Sequence, residues 1–155
     1  MKNYSIKSPV KWLALLAIAA LVAACGSDDP EKQAAKDREK IIEYLQKNNI
    51  DAIEHESGVF YLITREGSGN FPTENSTVTL NYSFKLLSGK DLGGQDNTMF
   101  NLQNNILGFR YGIPLFDKGS TGILIVPSGL AYGPNGYFNI PPNANLVYEI
   151  ELIDF

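Results

Sequence analysis

The chain has 155 residues, with 13 Lys or Arg against 17 Asp or Glu and a formal net charge of −4. That length holds one domain, and an acidic balance argues against nucleic acid as a partner, because neutralising phosphate takes a basic patch. A single cysteine and a single histidine exclude an internal disulfide and supply no metal-ligand cluster, so no metal or cofactor is expected and stability must come from core packing. At the N-terminus Lys2, Lys7 and Lys11 precede an uncharged apolar run from Trp12 to Ala24. Crossing a bilayer as a helix takes roughly 20 apolar residues, so the shorter run reads as the core of a signal peptide covering residues 1–24. Those residues contain no acid, so the part left after cleavage is more acidic than the whole chain.

Val22-Ala23-Ala24-Cys25 resembles a bacterial lipobox, which implies cleavage before Cys25 and a lipid on that residue. Attachment to a membrane is then expected through acyl chains and not through basic residues. The expected location is the cell envelope, with the outer membrane favoured and the periplasmic or surface face left open. Ser27-Asp28-Asp29 resembles the acidic export tag of surface lipoproteins. Residues 25–54 are read as a lipidated tether followed by a helix, and residues 55–155 as the folded domain.

Asp29 suits a helix N-cap, Pro30 the first helical position and Glu31 the first turn, and the run rich in Ala, Lys, Glu and Gln predicts a helix to Asn48. Its apolar residues Ile41, Ile42, Tyr44 and Leu45 crowd the second half. The first half is therefore expected to be solvated, and the second to dock on the domain or, through residues 30–48, on a partner in an envelope complex. His55, before the first strand, reads as a surface residue.

Beyond the helix, short apolar runs separated by Gly, Pro, Asn and Ser predict antiparallel strands at Gly58–Arg65, Thr77–Leu87, Met99–Leu102, Thr121–Val126 and Asn145–Ile153. Val78, Leu80, Tyr82, Phe84 and Leu86 alternate with Thr79, Asn81, Ser83 and Lys85, so the first set should face the core. Leu146, Tyr148, Ile150 and Leu152 repeat the pattern. Ile106 to Lys118 predicts one short helix that Pro114 delays or kinks. Several strands and one helix laid on them make an α+β fold.

The stretch LAYGPNGYFNIPPNANLVYEIEL, residues 130–152, resembles the C-terminal signature of FKBP-type peptidyl-prolyl cis-trans isomerases. Ile106-Leu107-Gly108-Phe109, Lys118-Gly119-Ser120 and Ile125-Val126-Pro127-Ser128 resemble the family's helix and following strand, and Val78 to Tyr82 with Ser88-Gly89-Lys90 resemble its first long strand and hairpin. The resemblance also extends to lipoprotein isomerases found with gliding and secretion machinery in Bacteroidetes. It implies a half-open antiparallel sheet wrapped around one short helix, with an apolar pocket for a prolyl residue of a polypeptide substrate. The family's pocket positions fall on Tyr82, Leu92, Phe100, Ile106, Phe109, Tyr132, Tyr137, Ile140 and Tyr148, with Thr98, Asn105, Phe138 and Asn139 close by. The resemblance further implies that the Tyr132 hydroxyl and the Ile106 N–H bond substrate carbonyls, and that Phe109 is the pocket floor.

The chemistry such a site needs is modest. Amide resonance opposes rotation with a barrier of about 18–20 kcal/mol, and X-Pro is the bond where cis is well populated. An apolar, water-excluding cup favours the twisted amide over its charge-separated planar form. A thousandfold acceleration takes about 4 kcal/mol, and no nucleophile is required. Three positions depart from the family. Leu92-Gly93 stands where most active members carry Phe-Asp, and Phe109 where most carry Trp, which implies weaker turnover than binding. An acid restored at Gly93 is expected to be partly buried without a basic partner, and strained if Gly93 has a positive φ. The competing reading is a non-catalytic module that binds prolyl segments within a membrane or surface complex.

Overall fold

The computed structural model describes residues 29–155. The signal segment, the lipobox and Cys25 lie outside the described residues. Helix α1, Pro30–Asn48, opens as its sequence predicts: the Asp29 carboxylate accepts from the Glu31 N–H at 3.0 Å. It closes at Asn49, whose φ of 52° is the left-handed conformation that ends helices. The strands are β1 (Ile53–Glu54), β2 (Phe60–Arg65), β3 (Thr77–Leu86), β4 (Asp91–Asn101), β5 (Thr121–Val126) and β6 (Leu146–Asp154). They form one antiparallel sheet in the order β1-β2-β5-β6-β3-β4.

Three elements differ from their sequence expectation, the first being β1, a strand paired with β2 inside the stretch 25–54 that the sequence assigns to tether and helix. The strand predicted at Met99–Leu102 is only the end of β4, which begins at Asp91. Gly93, Gly94, Asp96 and Asn97 carry poor strand propensity, yet the partner strand holds them in place, with Phe84 opposite Gly93 and Tyr82 opposite Gln95. Register shifts on either side of this stretch mark bulges, and at one of them Asn97 takes a φ of 51° while its N–H donates to Asn81 Oδ1 at 2.8 Å. The helix predicted from Ile106 to Lys118 is instead the short α2, Leu107–Gly112, running into a single 3₁₀ turn, Ile113–Leu115. Pro114 has no N–H to give the preceding turn, so the α-helix stops there.

Both faces of the sheet are covered. On one, α2 packs over Val78, Leu80, Leu124, Leu146, Tyr148, Ile150 and Leu152. Glycine sets how close it lies: a Cβ on Gly108 would overlap the Val126 side chain, and one on Gly112 the Leu124 side chain. On the other face Ile41 and Leu45 of α1 pack on Phe60, Ile125 and Val147. The apolar half of α1 therefore docks on the domain itself. Its first half departs from the expectation of a solvated helix, because Asp37 is completely buried. That carboxylate accepts from both the N–H and the hydroxyl of Ser128, and Asn145 Nδ2 donates to the Asp37 carbonyl at 3.3 Å. One acid among several in a polar helical run looks solvated in sequence; the partners that bury it lie far along the chain. His55 is half-buried, its Nδ1 2.9 Å from the Ser57 hydroxyl.

Candidate functional site

Period-two spacing on β3 puts Tyr82 and Phe84 on the face that carries α2, next to Tyr148 of β6 and Phe100 of β4. The glycine seat of α2 lowers Phe109 onto the same spot. The rings meet edge to face: Tyr82 with Phe100 at 5.4 Å, Phe100 with Phe109 at 5.6 Å, and Phe109 with Tyr148 at 4.8 Å between centroids. Phe84 stacks nearly flat on Tyr148 at 5.2 Å. Phe109 and Tyr148 are buried and form the floor, whereas Tyr82, Phe84 and Phe100 are half-buried and form the wall. Leu92, Ile106, Leu130 and Tyr132 pack against the same cluster, and Ile140 belongs to its buried part. The result is an aromatic cup.

At the rim, Tyr132 stacks on Tyr137 at 5.2 Å and 9°, and Tyr137 meets Phe138 edge to face at 4.6 Å. Burial pushes the Tyr132 hydroxyl above the usual phenol range, and Tyr137 and Tyr82 act in the same direction. Burial pushes Tyr148 up more strongly, with Tyr132 and Tyr82 adding to it. Both hydroxyls therefore stay protonated at neutral pH and can only be hydrogen-bonding groups, not bases. Among the described residues no group of three His, Cys, Asp or Glu side chains comes together. The equipment is an apolar cup with phenolic donors at its edge.

All nine predicted pocket residues gather in or beside this cup, but Ile106, one of the nine, and Gly93, next to Leu92, depart from expectation. The Ile106 N–H is not free: it donates to Asn105 Oδ1 at 2.8 Å, so a substrate carbonyl would have to displace that side chain. Gly93 is exposed, and a Cβ there would meet nothing within 4 Å. The expectation that an acid at this position would be buried is thus wrong; its φ of 102° leaves backbone strain as the only penalty. Sequence reasoning placed Phe84 in the core alone, although its spacing of two from Tyr82 was the signal that could have added it to the cup. A concavity of about 500 Å³ lies elsewhere, between the first half of α1 and the segment from Pro127 to Pro134, lined by none of the cup's rings.

Residues 68–153 match the family model for FKBP-type peptidyl-prolyl cis-trans isomerases. The chain belongs to this family. It is 32% identical over 146 residues to the FKBP-type peptidyl-prolyl cis-trans isomerase FkpA of Escherichia coli, an alignment covering 90% of this chain and 54% of that protein. The chain thus spans about half the length of that relative. Among solved structures, a peptidyl-prolyl cis-trans isomerase of Pseudomonas syringae pv. tomato superposes with a TM-score of 0.69 at 29% identity, covering 83% of this chain and 97% of the other. FkpA from Escherichia coli gives 0.69 at 30% identity, covering 98% and 74%. The observed half-open sheet around one short helix, with a helix before it, is the architecture expected of an FKBP-like fold.

Proposed function

We propose that this FKBP-family chain catalyses cis-trans isomerisation of prolyl bonds in exported polypeptides while held at a cell-envelope membrane, the outer membrane favoured, by lipid on Cys25. The observation that carries the catalytic part is the aromatic cup, with the Tyr132 hydroxyl kept protonated at its rim. A prolyl ring seated on Phe109 and Tyr148 would displace water from the amide and lower the cost of twisting it. Tyr132 would hold one carbonyl by donating to it while the other end turns. No proton is transferred and no covalent bond changes, which fits a site without nucleophile or base.

The experiment is proline-limited refolding of a substrate protein with the purified chain added in catalytic amounts. Acceleration that Phe109→Ala abolishes supports the reading; no acceleration at any concentration overturns it. The second reading, a binding module without turnover, draws on the bare backbone at Gly93 and on the Asn105 amide bonded to the Ile106 N–H. It predicts measurable affinity for prolyl peptides with no acceleration. The anchor is tested separately by intact-mass measurement of the membrane-extracted chain. Acyl mass at Cys25 that disappears in Cys25→Ser supports it, and an unmodified mature Cys25 rules it out.

A further inference from the structure

Phe138 is 91% exposed, more than any other large hydrophobic residue among those described. Its backbone is also out of place. Tyr137 and Ile140 exchange both hydrogen bonds, Tyr137 N–H to Ile140 O at 3.0 Å and Ile140 N–H to Tyr137 O at 2.8 Å, which leaves Phe138 and Asn139 as the two central residues of a tight hairpin. The first of them takes a φ of 46°. Two-residue loops put Gly, Asn or Asp where φ is positive, because a large side chain is strained there. Asn139 follows immediately, so a residue suited to that conformation sits one position late. The ring is buried against no core and strains its own backbone, so the fold does not account for it.

Nor is the ring isolated. It stands edge-on to Tyr137, which lies flat on Tyr132, so one aromatic surface runs from the cup outward. The base of the loop is closed by the Asn143 N–H donating to Gly133 O at 2.8 Å, and the hairpin bonds fix the tip. Rings held this way lose little freedom on binding. Two steps of 5.2 and 4.6 Å carry the surface at most about 10 Å from Tyr132, within the reach of about three extended residues. We infer that Phe138 is a specificity-determining residue that seats an apolar side chain lying within about three residues of the proline on the same polypeptide. The inference rests on the reading that the cup takes a prolyl segment.

The test is titration calorimetry with two peptides that share one proline, one carrying Phe at the flanking positions and the other Gly. The parent chain is compared with Phe138→Asn and Phe138→Trp. The expected result is an affinity for the Phe-flanked peptide about fivefold to tenfold lower in Phe138→Asn, the worth of one aromatic contact and its buried area. The Gly-flanked peptide should stay within about twofold, Phe138→Trp should bind both as the parent does, and the melting temperature of Phe138→Asn should not fall, since Asn suits a positive φ. Equal losses with both peptides, or no loss with either, overturn the inference. So does a concentration-dependent dimer of the parent that Phe138→Asn abolishes with peptide affinity unchanged, because the occupant would then be a second copy. A parent that binds both peptides but accelerates no isomerisation sinks the catalytic reading alone; one that binds neither sinks both.

Discussion

On β6, Leu146, Tyr148, Ile150 and Leu152 join the core under α2, while Val147 joins the cluster under α1. The two covers differ in reach. α1 has 19 residues and α2 six, which at 1.5 Å per residue is roughly 28 Å against 9 Å. Under the long helix the sheet is sealed by Ile41, Phe60, Ile125 and Val147, all buried. Under the short one, Leu80, Leu124 and Leu152 are sealed but Tyr82, Phe84 and Phe100 are left half-buried. A half-open surface thus arises where a helix is too short for its sheet, with Tyr82, Phe84 and Phe100 left half-buried beside Leu86 and Leu92. The face under α1 is core; under the proposed function, the face under α2 divides between core and recognition.

The largest expected effect strikes the sealed face. Ile41→Ala should cost about 2–4 kcal/mol of stability in urea unfolding, the usual toll for emptying a closed core site, while the affinity of surviving folded protein for a prolyl peptide stays unchanged. Loss of affinity in proportion to stability would mean the two faces are not separable. Gly93→Asp comes next. With open space around the position, only the left-handed backbone resists, so a loss of about 1–2 kcal/mol in thermal unfolding is expected, and refolding activity should not rise. On the open face, Tyr132→Phe should weaken prolyl-peptide binding by about 0.5–1.5 kcal/mol, one neutral hydrogen bond, with no change in unfolding midpoint. Unchanged affinity in calorimetry would remove that hydroxyl from the site. Smallest of these effects at neutral pH, acid acts on neither face but at the end of the sheet where the loop before β3 meets the α2–β5 corner. Amide hydrogen bonds from Gly69 and Gly67 hold the Asp117 carboxyl below the usual carboxylate range, and the Asn81 amide with Arg65 does the same for Glu151. A depressed pKa contributes stability that is present at neutral pH and is lost as pH falls below about 4. A melting-temperature profile of Asp117→Asn should therefore be flatter than the parent's in that acid range.

How much of this could be read from the residues depends on whether the cause is local. Asp29-Pro30 starts α1 by chemistry within one turn, and the alternating runs of β3 and β6 carry their period in the open. Phe109, Tyr132 and Tyr148 were legible because Gly and Pro motifs flank them. β4 was not, since its glycines and asparagines are strand only by virtue of pairing with β3. Asp37 was missed for the same reason at longer range: Ser128 and Asn145, which bury it, are 91 and 108 positions away. The conformation of Phe138 is set by a bridge between Tyr137 and Ile140, and composition gives no hint that the aromatic and not the neighbouring Asn would take the positive φ.

The position of β6 in the sheet has a consequence for how the chain reaches this state. It lies later in the sequence than every other strand and yet sits between β5 and β3. Without it the sheet falls into two separate pieces, β1-β2-β5 and β3-β4. A two-stranded hairpin is marginal in water, and a sheet that closes on its last-made strand pays loop-closure entropy before any long-range contact rewards it. A chain emerging N-terminus first cannot complete the cup until residues 146–154, which join the two pieces and carry Tyr148, are out.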